Sequence, residues 1–328
     1  MRRRDFIAGL GAVATGPLAV DAQQGDRIRR IVVLQTLLED DPLSRAQLDA
    51  FTEALGKFGW IEGRNVKIDY RFGAENPDRA RRYAAELVAL APDAVLTVGA
   101  IVTKTLQQAS REVPNVFVVA SDPVGEGLVA SQARPGGNTT GFAGAEYGTT
   151  TKSLELLKEI APNVTRSAVI RDPTLTTNAG QFGAMQAVAP QLGVELSTID
   201  VRNPDEIARG IAAFARGRNG GLVVANSAAA LVHRELIITL AARHRLPAAY
   251  SIRIFVIDGG LISYGVDVIE PFRRGADYIN RILKGEKPSD LPVQTTTRYQ
   301  TILNMKTAKA LGLTVPQSIL LRADEVIE

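Results

Sequence analysis

The sequence predicts an α/β protein made of two parallel-sheet halves, and three observations lead there. Short β-branched runs alternate with stretches carrying apolar residues at helical spacing. The alternation stops at Gly136-Gly137-Asn138 and Gly141, then starts again. At 328 residues the chain is also longer than one core usually organises, since domains run to about 100–200 residues. Strand and helix alternating in this way imply a parallel sheet covered by helices on both faces.

Each element follows from its residues. Arg30–Leu34 reads as a strand and Ser44–Phe58 as a helix closed by Gly59. Val66–Tyr70 is a strand, and Asp78–Leu90 is an amphipathic helix entered through Pro77, whose fixed φ suits a first turn. Ala94–Val98, Ile101–Ser110 and Val116–Ala120 continue as strand, helix and strand. Beyond a seam near residue 144, Lys152–Ile160 reads as a helix, Ser167–Arg171 as a strand and Gly180–Leu192 as a helix. Val194–Asp200 is a strand, Asp205–Arg216 a helix, Leu222–Ala225 a strand, Ala228–Arg243 one helix and Ala248–Tyr250 a strand. Strand Leu261–Tyr264, helix Ile269–Leu283 and the remaining tail complete these halves, being too short for a third domain.

The side-chain inventory excludes several chemistries. Without cysteine there is no disulfide framework, thiolate zinc site, iron–sulfur cluster or cysteine nucleophile. His233 and His244 alone leave little for imidazole metal binding or general-base work. The 38 basic and 35 acidic side chains are mixed along the chain, whereas a nucleic-acid binder clusters its Lys and Arg. Gly125-x-Gly127-x-x-Ala130 resembles a dinucleotide fingerprint, but it does not make the first βα turn of its unit. The expectation is therefore no cofactor, no metal, no nucleic-acid partner and no catalytic residue.

Met1–Ala22 has the layout of an export signal. Arg2-Arg3-Arg4 precede an apolar run, Phe6–Val20, and Val20-Asp21-Ala22 places small residues where a signal peptidase reads them. That run of about 15 residues is too short to span a bilayer. Arg3-Arg4 followed by Asp5, Phe6 and Ile7 fits the twin-arginine pattern. The mature chain, cleaved near Ala22, is expected in the periplasm as a monomer that is not inserted in the membrane.

Open α/β sheets bind ligands beyond the carboxyl ends of their strands. There the chain places Gln35-Thr36, Gly99-Ala100, Ser121-Asp122, Asp172-Pro173 with Thr176, Thr177 and Asn178, then Asn226-Ser227 and Tyr250-Ser251. Small hydroxylated residues recur beside helix N-termini, whose free N–H groups favour a carboxylate or another acceptor. Taken singly, each also reads as a helix cap or an Asx turn.

Several longer segments carry a resemblance. They are Gly59-Trp60-Ile61-Glu62-Gly63-Arg64-Asn65-Val66, Ser121-Asp122-Pro123-Val124-Gly125-Glu126-Gly127-Leu128-Val129, Arg134-Pro135-Gly136-Gly137-Asn138-Thr139-Thr140-Gly141, Gly259-Gly260-Leu261-Ile262-Ser263-Tyr264-Gly265 and Asn304-Met305-Lys306-Thr307-Ala308-Lys309-Ala310-Leu311-Gly312-Leu313. In this order they resemble the ABC-transporter substrate-binding proteins of the tryptophan/tyrosine type. The resemblance implies a type I periplasmic-binding-protein fold: two Rossmann-like lobes, joined by three crossings, closing on a ligand. Lobe 1 would hold residues 28–144 and 264–296, and lobe 2 residues 145–263 and 297–328. Strand Leu261–Tyr264 would return to the first lobe. Gly99, Ser121 and Asp122 would face Asp172, Asn178, Asn226 and Tyr250 across the cleft, with Tyr264 near the hinge.

The implied activity is capture of a small molecule, an amino acid or a related aromatic or carboxylate compound, for delivery to an inner-membrane ABC permease. An amino acid needs a carboxylate anchor, an ammonium partner and a side-chain pocket. Helix N-termini serve the first, Asp122, Asp172 or Glu146 the second, and Tyr147, Tyr250 or Tyr264 the third. Some relatives carry an acidic residue where this chain has Asn226-Ser227-Ala228, which widens the expected ligand to neutral and carboxylate compounds. A ligand-binding sensor subunit for a membrane receptor is the alternative. An NAD-linked enzyme lacks its glycines at Leu34-Gln35-Thr36-Leu37-Leu38, and a repressor effector domain disagrees with the export signal.

Overall fold

The computed structural model describes residues 27–144, 148–296 and 298–328; Met1–Ala22, expected to be an export signal, and Glu146 and Tyr147 lie outside them. The first half runs β1 (Arg29–Leu34), α1 (Pro42–Lys57), β2 (Val66–Arg71), α2 (Pro77–Leu90), β3 (Ala94–Val98), α3 (Ala100–Ala109), β4 (Asn115–Ala120) and β5 (Thr139–Ala143). The second runs α4 (Gly148–Ile160), β6 (Arg166–Arg171), α5 (Thr176–Val188), β7 (Glu195–Asp200), α6 (Pro204–Phe214), β8 (Gly220–Val224), α7 (Ala228–Val232), α8 (Arg234–Arg243), β9 (Ala248–Tyr250), α9 (Arg253–Ile257) and β10 (Ile262–Val266). The tail adds α10 (Glu270–Leu283), β11 (Gln294–Thr295), β12 (Tyr299–Asn304), α11 (Met305–Ala310), α12 (Gln317–Arg322) and β13 (Glu325–Ile327).

These strands form two sheets. One has the order β11-β5-β4-β3-β1-β2 and is parallel throughout. The other has the order β13-β12-β10-β9-β8-β6-β7, in which only β10 and β12 run antiparallel. The chain passes between the sheets after β5, after β10 and after β11.

Three expectations need correction. Residues 139–143 are a fully buried strand, β5, although Gly141 looks like a break in the sequence. Glycine is required there because β5 lies against Phe117 of β4, so Gly141 marks close backbone approach inside a strand. Strand β10 stays in the second sheet, where Ile262 pairs with Ala249 and Tyr264 with Thr301. The return to the first lobe is made by α10, whose Phe272, Ala276 and Ile279 bury against Val33, Leu96, Val118 and Phe142. Finally, the helix expected over Ala228–Arg243 is two helices meeting at His233. At that break Arg234 donates back to the Leu231 carbonyl and reaches carboxylates elsewhere in the fold.

Helix α5 starts four residues before its expected position. Its N-cap, Leu175, offers no side-chain bond. The missing acceptor comes from the other lobe: the Thr177 N–H donates to Glu126 Oε1 at 3.3 Å. A carboxylate at this end also complements the helix dipole.

Candidate functional site

One cavity lies between the two sheets at the carboxyl ends of their strands. Thr36, Gly99, Ala100 and Ser121 line it from the first lobe, and Thr177, Asn226 and Ser227 from the second. It holds about 740 Å³ of free space, including solvent at its mouth. Side chains crowd its interior. The rest of the wall is largely aliphatic, with Leu37, Val98, Ile101, Leu175, Leu231 and Val268.

The polar part of the wall is positioned by local backbone geometry. Gly99 adopts φ +85°, a conformation open to glycine, and its N–H donates to the Val118 carbonyl at 2.9 Å. Helix α3 therefore begins without a side-chain cap. Ala100, Ile101 and Val102, its first three residues, line the cavity, so the positive end of the helix dipole faces the site. Helix α7 is capped internally, because Ser227 Oγ accepts from the Ala230 N–H at 3.1 Å.

Val119 also lines the cavity and sits at φ +60°. For a β-branched residue this is a strained conformation, and it coincides with the register shift between Val118 and Ala120. Strain of this kind concentrates where a fold holds a binding surface in shape.

Other residues chosen from the sequence serve the frame around the cavity. Gln35 is fully buried behind Thr36; its Nε2 donates to Gln47 Oε1 and its Oε1 accepts from the Leu37 N–H. Asp122 Oδ1 accepts from the Gly125 N–H at 2.8 Å, making an Asx-type turn. Asp172 accepts from both the N–H and the hydroxyl of Thr174. Thr176 is exposed at the start of α5. Neither aspartate lines the cavity, so neither stands as the ammonium partner expected above.

The two tyrosines are part of the cores. Tyr250 is buried and stacked on Phe255 at 4.9 Å, where burial pushes its hydroxyl pKa up and keeps it neutral. Tyr264 stacks on Tyr299 at 5.5 Å, and burial, with Tyr299 beside it, raises its pKa too. Among the described residues no aromatic ring lines the cavity.

Asn178 ties two strand ends together. Its Oδ1 accepts from the Asp172 N–H at 2.9 Å, while Nδ2 donates to the Asn226 carbonyl at 3.0 Å and to Gln181 Oε1 at 3.1 Å. Asn178→Ala leaves buried backbone groups without partners and is expected to lower stability by about 2 kcal/mol in urea unfolding.

Sequence reasoning missed Glu75. It lies in the loop that follows β2, residues 72–76, at a strand end like the other lining residues. Backbone bonds fasten this loop beside Thr36: the Gly73 N–H donates to the Leu37 carbonyl and the Ala74 N–H to the Gln35 carbonyl, both at 3.0 Å. Glu75 lines the cavity, and its Oε2 is buried without a hydrogen-bond partner among the described residues.

Among the described residues the lobes meet in two polar places. One is the Glu126 carboxylate on the N-terminus of α5. The other is Arg234 of the second lobe, which donates from Nη1 to Asp41 Oδ2 in the first lobe at 2.5 Å and from Nε to Asp258 Oδ2 at 2.7 Å. Burial works against the Arg234 charge, yet its bonds to Asp258 and Asp41 outweigh that and hold its pKa above the ordinary arginine value. Beside this pair Leu37 and Leu43 of the first lobe pack into the core of the second.

Trp60, the single tryptophan, lies at the opposite ends of the strands and donates to Asn280 Oδ1 at 3.1 Å. Ligand binding is therefore expected to leave its emission maximum unchanged, while unfolding of the first lobe shifts it to the red.

Comparison with known proteins agrees with this architecture. A family model described as "ABC transporter substrate binding protein" matches residues 30–327. A tyrosine-binding protein of Clostridioides difficile is 24% identical over 280 residues, covering 85% of this chain and 80% of its own. Among solved structures, a conserved domain protein from Vibrio cholerae superposes with TM-score 0.84 at 26% identity, covering 92% of this chain and all of that one. An ABC domain from Streptococcus pneumonia in complex with L-Trp superposes with TM-score 0.83 at 25% identity, covering 91% and 99%. Sheet order, inter-lobe cavity and family match agree: the chain belongs to the ABC transporter substrate-binding proteins.

Proposed function

We propose that this protein captures a small molecule, an amino acid or a related carboxylate compound, between its two lobes and delivers it to an ABC importer. The observation that carries the proposal is the cavity shared by strand ends of both lobes, with the uncapped N-terminus of α3 facing it. That terminus offers backbone N–H groups to a ligand carboxylate. Contacts from both lobes make the ligand favour the closed arrangement, whose surface a permease reads. The relatives that carry tyrosine and tryptophan in their descriptions support an amino-acid ligand. We further propose export through the Met1–Ala22 signal to the periplasm, with lobe 1 as residues 28–144 and 267–296 and lobe 2 as 145–266 and 297–328.

A thermal-shift screen of the mature chain with amino acids, aromatic acids and purines tests the reading. A ligand at a hundredfold excess over Kd stabilises by about 2.7 kcal/mol, which a melting curve resolves. Ala100→Trp fills the cavity and is expected to abolish the shift without lowering the ligand-free Tm by more than a few degrees. A shift that survives in Ala100→Trp places binding elsewhere and contradicts the proposal.

A further inference from the structure

We infer that Glu75 is the residue that selects a ligand bearing a protonated amine, so that the cavity takes a zwitterionic amino acid in preference to a simple carboxylate. The inference rests on the inter-lobe cavity being the ligand site. Among the described residues lining that cavity, Glu75 alone carries a formal charge. Its Oε2 is shielded from solvent and accepts no hydrogen bond among the described residues.

A buried carboxylate oxygen without a donor is costly, and a cation supplied by the ligand removes that cost. The nearest polar side chains are turned to other partners: Gln47 Nε2 donates to the Val268 carbonyl, and Thr36 Oγ1 donates to Gln35 Oε1.

The placement is also rigid. The Gly73 and Ala74 N–H groups fasten the loop to the turn after β1, and Asn76 Oδ1 caps α2 through the N–H groups of Asp78 and Arg79, all at 3.0 Å. Glu75 is thus held between two anchored points beside Thr36. The α3 N-terminus, which lines the same cavity, presents the opposite polarity. A molecule with an ammonium group and a carboxylate matches both walls at once. A carboxylate alone satisfies α3 but brings a second negative charge toward Glu75.

The test uses isothermal titration of the mature chain with the twenty L-amino acids, their N-acetyl derivatives and the matching 2-hydroxy acids. At least one free amino acid is expected to bind, while its N-acetyl and 2-hydroxy partners bind about 10- to 100-fold more weakly. Glu75→Gln, nearly isosteric, is expected to lose a similar factor for the amino acid and to narrow the gap between amino acid and hydroxy acid. Glu75→Ala should behave alike, and circular dichroism melts of both variants report their folding.

Equal affinity for the amino acid and its hydroxy acid, or undiminished amino-acid binding by a folded Glu75→Gln, overturns the role of Glu75. If Ala100→Trp still abolishes binding in that case, the cavity reading stands without it. If no compound of the panel binds, the amino-acid selection falls as well; binding that survives Ala100→Trp removes the cavity reading itself.

Discussion

Gly141→Ala is expected to melt roughly 6–20 °C below the parent protein. Gly141 sits within β5 at φ +156°, paired with Phe117 of β4. A Cβ there runs into the Phe117 carbonyl oxygen and stands 2.7 Å from the Phe117 nitrogen. These are backbone atoms in the interior of a sheet, so no side chain can swing aside to make room. The two strands must separate, which weakens their ladder and disturbs the packing of Phe142 beneath α10. A loss of about 3–5 kcal/mol is the scale for a strained backbone position in a core. At about 2–4 °C per kcal/mol for a domain of this size, the shift is easily read by calorimetry. A Tm within 2 °C of the parent contradicts the assignment of residues 139–143 as a central strand.

Arg234→Ala is expected to weaken ligand binding about 10- to 100-fold and to open the molecule in solution. Arg234 is 6% exposed and joins Asp41, on the first lobe, to Asp258, on its own. Breaking a buried pair costs about 3–5 kcal/mol when both charges are shielded. Here the two carboxylate side chains keep 12% and 28% of their exposure, so solvent screens part of that, and about 1–3 kcal/mol is the appropriate scale. That energy favours the arrangement in which the lobes meet, and its loss lowers the fraction of molecules competent to hold ligand. Small-angle scattering should show a larger radius of gyration for the ligand-free variant. Arg234→Lys keeps the charge but not the fork that reaches both carboxylates, so it should restore only part of the affinity. Unchanged scattering and affinity in Arg234→Ala would mean that this contact is incidental to closure.

Much of the architecture is legible from the residues. Ala94–Val98 and Ala248–Tyr250 lie where the sequence puts them, because short apolar runs bounded by polar or proline residues have few other conformations open to them. Features decided by distant contacts are not legible. Gly141 looks like a break because its reason is Phe117, on another strand. The early start of α5 depends on Glu126 from the other lobe, and the break at His233 adjoins a residue paired across the lobes.

The site divides along the same line. Thr36, Gly99, Ala100, Ser121, Asn226 and Ser227 come together because the ends of parallel strands converge in this fold. Asp122, Asp172 and Asn178 share those positions but spend their polar atoms on turns and strand ends. Tyr250 faces the core because successive residues of a strand point to opposite sides. Glu75 obeys the strand-end rule and was within its reach.

Hydrogen exchange, read by mass spectrometry with and without an amino acid that raises Tm, tests the central claim most directly. Capture between the lobes predicts that one ligand slows exchange at residues 98–102 and 119–121 of the first lobe and at 226–231 of the second, all together. Slowing confined to one lobe, or to residues away from these strand ends, contradicts it.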